Sequence, residues 1–136
     1  MSNININDNV AHPLAKFRNH LEFNGFHVDE EEDVILCRHP RKYNMLIRNV
    51  PERGVLISVL YTVNDNIKRV DLLEYLNQIN MEILFSKTYV DEENNFILDT
   101  FFEGDYDRSN FSLILENIEA DLSFIGEHPD TEKFLG

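Results

Sequence analysis

Phe111, Ile114, Leu115, Ile118, Leu122 and Ile125 recur at the spacing of a single helical face. Steps of three, four and seven bring side chains to one side of a 3.6-residue repeat, so this segment reads as one long amphipathic helix. Asp107 or Ser109 offers a side-chain oxygen to its first turn, Gly126 is expected to end it, and Pro129 to prevent its resumption. Burying the six side chains is worth about 9–18 kcal/mol gross, at roughly 1.5–3 kcal/mol each. Such a helix must dock on a sheet or on a second subunit.

The preceding chain supplies the sheet. A first helix opens near Pro13, carries Val10, Leu14, Phe17 and Leu21 on one face, and stops at Asn24-Gly25. Asp33 to His39 is an apolar run of strand length. Tyr43–Val50 and Val55–Thr62 flank Pro51-Glu52-Arg53-Gly54, a tight turn, and His39–Lys42 turns the chain before them. Asn64-Asp65 is expected to cap a helix over residues 67 to about 83, with Leu72, Leu73, Leu76, Ile79 and Ile83 on its apolar face and Val70 at its entry. Ser86–Val90 and Phe96–Phe102 form a hairpin around the polar Asp91–Asn95 loop. The order is helix, three strands, helix, two strands, helix: an α+β domain with a mainly antiparallel sheet packed with helices. The domain is expected over residues 9–126, between an N-terminal tail of residues 1–8 and a C-terminal tail of residues 127–136.

A chain of 136 residues, 43% of them hydrophobic, builds one core. It has no apolar run long enough for a membrane span, and its start lacks a basic segment followed by an apolar one. The lone Cys37 agrees with a reducing compartment, so a cytoplasmic protein is expected. Net charge is −13, unevenly spread: ten basic residues meet twelve acidic ones over residues 1–90, and two meet thirteen over residues 91–136. That field repels phosphate backbones and argues against nucleic acid as a partner. It serves solubility, or it attracts a basic or amphipathic segment of another protein.

The search for chemistry returns little. His12, His20, His27, His39 and His128 are scattered, without the close spacing of zinc ligands. Cys37 reads as a small buried hydrophobe, although His39 two residues on shares its strand face. The five glycines never cluster as a phosphate-cradling loop requires. A calcium loop starting at Asp91 fails, because Phe96 and Phe102 fall where glycine and glutamate are needed. The acidic runs at residues 29–33 and 103–107 read as solvated loops, not as a desolvated acid–base pair. No catalytic, cofactor-binding or metal-ligating residue is assigned, and the chain is not expected to be an enzyme. Asn77 and Asn80, three apart near a helix end, read as structural: Asn80 closing the helix, Asn77 bonding strand backbone. Arg38, Arg41, Lys42, Arg48 and Arg53 gather around the meander, as solvated edges or as charge-complementary contacts between two subunits.

The stretch Leu72-Leu73-Glu74-Tyr75-Leu76-Asn77-Gln78-Ile79-Asn80, the strand Phe85–Val90, the acidic turn Asp91–Asn95 and the strand Phe96-Ile97-Leu98 resemble the pattern of the bacterial YbjN-like family. The resemblance spans about residues 12–126, and the acidic C-terminal extension is outside the pattern. That family's fold is similar to class I type III secretion chaperones. The resemblance implies a homodimer that holds an extended segment of a client protein, with a regulatory or chaperone-like role and no catalytic site. A dedicated type III secretion chaperone for an effector is the narrower alternative. Leu113 and Phe124, off the main stripe of the last helix, and Tyr43, Met45 and Ile47, on one face of a strand whose other face carries Leu46 and Val50, are the candidate partner-binding residues. A rival reading is a small-ligand protein with a pocket between sheet and helices, lined by Tyr61, Tyr89, Cys37 and His39.

Overall fold

The computed structural model describes residues 12–136. Val10 and the expected N-terminal tail lie outside the described residues. The elements are α1 (Ala15–Phe23), β1 (His27–Glu30), β2 (Val34–Arg38), β3 (Met45–Val50), β4 (Gly54–Thr62), α2 (Arg69–Glu82), β5 (Lys87–Val90), β6 (Asn95–Glu103), α3 (Arg108–Glu127) and α4 (Thr131–Phe134). The architecture is α+β, with one six-stranded antiparallel sheet in the order β1-β2-β3-β4-β6-β5. Helix α2 carries the chain from β4 over β6 to β5, so the closing hairpin adds back onto β4. Among the described residues no helix is long and apolar enough to cross a membrane.

Four of these features depart from the sequence reading. The meander has four strands, because His27–Glu30 pairs with Ile35–Arg38 across the acidic Glu31–Asp33 turn. Its composition is that of a loop; a neighbouring strand's backbone and the Arg18–Glu30 ion pair from α1 hold it extended. Helix α2 begins at Arg69 without a side-chain cap, since Asn64 is engaged elsewhere. Gly126 does not end α3, which runs to Glu127 before Pro129. Residues 127–136 fold back instead of trailing as a tail. Phe134 is buried and stacks on Tyr75 at 4.6 Å, and Leu135 bridges Val63. Asn64 donates to the carbonyls of Glu132 and Lys133, and Thr131 shares a 2.6 Å hydrogen bond with the Tyr75 hydroxyl.

The expected turn and cap chemistry holds elsewhere. Gly25 ends α1 at φ +92°, and Asp107 caps α3 by accepting from the Asn110 N–H at 2.9 Å. At Gly54, φ is +150° and a Cβ would stand 2.0 Å from the Phe102 carbonyl, so only glycine lets β4 approach β6 there.

The helices share one side of the sheet. Phe17 of α1 meets Phe102, Phe111 and Tyr106 edge-on at 4.9–5.7 Å. Leu72, Tyr75, Leu76 and Ile79 of α2 are buried, with Tyr75 against Phe96. All six residues of the α3 stripe join the core, Phe111, Ile118 and Ile125 being fully enclosed. Beneath them lie Ile35, Cys37, Met45, Ile47, Val55, Ile57, Val59, Phe96, Leu98 and Phe102.

Candidate functional site: the open face of the sheet

Side chains alternate across a sheet, so the residues between those core positions face the other way. The register lines them up in rows. Leu36, Leu46, Ser58, Asp99 and Lys87 follow one another across five strands. Val34, Arg48, Leu56 and Phe101 form a second row, and Leu60, Ile97 and Tyr89 a third. Leu60 is 48% and Phe101 41% exposed; Val34, Leu36, Leu46 and Leu56 are half-buried. A groove of about 340 Å³ lies on this face, lined by Leu36, Leu46, Ser58 and Leu60 together with Arg38 and Asn44. The side chains that α1, α2 and α3 bury meet the opposite face, so this apolar field lies on the side of the sheet away from those helices.

A polar knot sits in the middle. Asp99 is only 5% exposed, and both its carboxylate oxygens are engaged: Ser58 Oγ donates to Oδ1 at 2.6 Å and the Tyr89 hydroxyl to Oδ2 at 2.9 Å. Burial, then the hydrogen bond to and charge of Asp99, raise the Tyr89 phenol above its ordinary pKa, so it stays a donor. Lys87 stands 5.9 Å from the Tyr89 ring. The face therefore carries apolar side chains around a nearly buried carboxylate that Ser58 and Tyr89 hold in place.

The residues singled out from sequence do not gather here. Met45 and Ile47 occupy the core beneath the helices, which corrects their assignment to a partner surface: β3 is apolar in both registers, and the helices cover the Met45–Ile47 side. Leu46 takes the open side. Tyr43 and Phe124 are half-buried against the core, and burial plus the Glu119 charge push the Tyr43 phenol up. Leu113 is exposed on α3, away from the sheet's open face. Asn80 is a clamp: its Nδ2 donates to the Thr88 carbonyl at 3.1 Å, and its Oδ1 accepts from Thr88 N–H and Oγ1 at 2.9 and 3.0 Å. Asn77 reaches no strand and touches Met81. The imagined pocket is not assembled either. Tyr89 lies on the open face, Tyr61 packs against the core, and His39 sits edge-on to Phe26 in a turn. Cys37 is buried, which pushes its thiol up to about 12.

Sequence reasoning missed Leu60, Phe101, Ser58 and Asp99. The signal was present: β4 and β6 are apolar on both faces, and Asp99 is the one acid inside Phe-Ile-Leu-Asp-Thr-Phe-Phe. A second apolar surface lies on the outside of α2, where Val70, Leu73 and Met81 are exposed and run on into Leu84 and Phe85.

No family model and no curated protein matches the sequence. Two solved structures share the fold. One is YbjN, a putative transcription regulator from E. coli, with a TM-score of 0.72, 15% identity, 90% of this chain and 95% of that chain covered. The other is a chain of the heterodimeric ExoU–SpcU complex of the type III secretion system of Pseudomonas aeruginosa, with a TM-score of 0.55, 13% identity, 73% of this chain and 85% of that chain covered. The fold is YbjN-like and type III secretion chaperone-like.

Proposed function

We propose that this chain is a cytoplasmic, non-catalytic protein that binds an extended apolar segment of another protein on the open face of its sheet, as a YbjN-like regulator with a chaperone-like role. The observation that carries this reading is the apolar field of exposed Leu60 and Phe101 and half-buried Leu36, Leu46 and Leu56 around the tethered Asp99 carboxylate. The occupant is a segment with alternating large apolar side chains and basic flanks, matching both the pleat spacing and the net charge of −13. The wider likeness to YbjN favours a general regulator over a dedicated secretion chaperone, whose fold is matched over less of the chain. The outer stripe of α2, Val70, Leu73, Met81 and Leu84, supports a homodimer formed away from the client face.

The test is an array of 13-residue peptides graded in apolar content and charge, followed by fluorescence anisotropy on the best binders. Wild-type protein selects apolar, basic-flanked peptides, and the double variant Leu60→Asp/Phe101→Asp binds them about 10–100-fold more weakly, since losing two apolar contacts removes roughly 1.5–3 kcal/mol. Both positions are exposed, so circular dichroism confirms the fold of the variant. Peptides bound equally well by the variant, or no selection at all, would refute the reading. Met81→Glu/Leu84→Glu separates the subunits in sedimentation if α2 forms the dimer.

A further inference from the structure

A second cavity, of about 560 Å³, opens between α1 and the first turns of α3, far in character from the apolar sheet face. Its walls carry Lys16, His20 and Phe23 from α1, Tyr106 from the loop before α3, and Arg108 and Ser112 from α3. No acidic residue lines it, in a chain with 25 acidic residues and 12 basic ones. Arg108 is one of only two cations after residue 91. Among the described residues neither Lys16 nor Arg108 is in an ion pair, whereas Arg18, Arg38 and Lys42 each hold a carboxylate.

The floor is organised. The His20 ring is gripped at both nitrogens, Nδ1 at 2.8 Å from the Tyr106 hydroxyl and Nε2 at 3.4 Å from Ser112 Oγ, and its edge packs on Phe111 at 4.9 Å. Burial and the neighbouring Arg108 charge lower its pKa, so at neutral pH it is an uncharged hydrogen-bonding group. Ser112 and Tyr106 keep hydroxyls beside it. Phe23 stands 88% exposed at the rim, a bare aromatic face that the core does not use. Two cations that among the described residues hold no carboxylate, a hydroxyl pair and an apolar platform, in a space large enough for a drug-sized body, describe one ligand class.

We propose that this cavity binds a small organic anion, its carboxylate or phosphate held by Lys16 and Arg108 and its ring laid on Phe23. The site is separate from the client face and stands whether or not that face binds a peptide.

The test titrates the full chain with phenyl phosphate and with benzoate, following the His20 ring resonances and the Phe23 ring by NMR, with inorganic phosphate as the ring-free control. Saturable shifts at both residues are expected with at least one aromatic anion, which binds more tightly than inorganic phosphate. Which of the two wins identifies the head group. Arg108→Gln and Lys16→Gln, both surface changes, each weaken binding about 10-fold, the effect of one charge-assisted contact, and raised salt weakens it further. Phe23→Ala erases the advantage of the aromatic anion over inorganic phosphate. No saturable shift with either probe, or shifts that survive both charge-removing variants, would overturn the proposal.

Discussion

Replacing Asp121 by Asn should destabilise the fold by about 1.5–3 kcal/mol, because a single carboxylate holds the bend between α2 and β5. Asp121 is 3% exposed on α3; its Oδ1 accepts from the Leu84 N–H and its Oδ2 from the Phe85 N–H, both at 3.1 Å. These two donors lie just past the last helical hydrogen bonds of α2 and before the pairing of β5 begins, so no backbone carbonyl serves them. Asparagine keeps the shape but offers one carbonyl acceptor and one amide NH2 donor, so one charge-assisted bond becomes a donor facing a donor. Alanine orphans both N–H groups and should cost about 2–5 kcal/mol, with the lower end reached if water enters. For a domain of this size, 1.5–3 kcal/mol corresponds to a fall in Tm of roughly 5–12 °C. Urea unfolding followed by circular dichroism gives the free energy, and hydrogen exchange at Leu84 and Phe85 shows whether protection is lost there first. An unchanged midpoint in Asp121→Asn, or an exchange pattern altered everywhere except this bend, would refute the assignment.

Three further outcomes follow from named contacts. Gly54→Ala should unfold the chain or cost more than about 3 kcal/mol, since its Cβ would collide with the Phe102 carbonyl, whereas Gly126→Ala, in α3 with nothing within 4 Å, should gain about 0.5–1 kcal/mol in the same melt. Phe134→Ala should cost about 3 kcal/mol in urea unfolding by removing the ring stacked on Tyr75; no loss would mean that residues 127–136 do not brace the core. Cys37 should resist iodoacetamide in the native state and react on unfolding. Its folded pKa is raised, so its stabilising contribution is complete below about 9 and declines as pH climbs toward 12, where the unfolded chain ionises first. Rapid native labelling at pH 8 would contradict this.

Much of the fold is legible where one residue pattern decides it. The α3 stripe, the Pro51–Gly54 turn and the acidic hairpin loop are local signals, and the structure contains them. The His27–Glu30 strand is not local: His-Val-Asp-Glu extends because β2 lies beside it. The C-terminal segment turns on Phe134, whose burial depends on Tyr75, some sixty residues earlier. The candidate site was hardest to read. A strand such as Met45-Leu46-Ile47 is apolar in both registers, and only the crossover of α2, which sets where the helices lie, decides which set is covered. Choosing Met45 and Ile47 picked the covered set. Asp99 was passed over for a related reason, because its meaning comes from Ser58 and Tyr89 on the strands to either side.

The outermost strands of the sheet, β1 and β5, are only four residues long, and one reads His-Val-Asp-Glu while the other opens with Lys87. A protein that keeps a greasy surface in water risks recruiting copies of itself into ribbons, strand beside strand. Here any newcomer finds a landing strip of four residues edged with charge, too brief and too hydrated to propagate. Stickiness is thus kept off the sheet's edges and left to its face, where a guest must match its contours instead of merely extending its ladder.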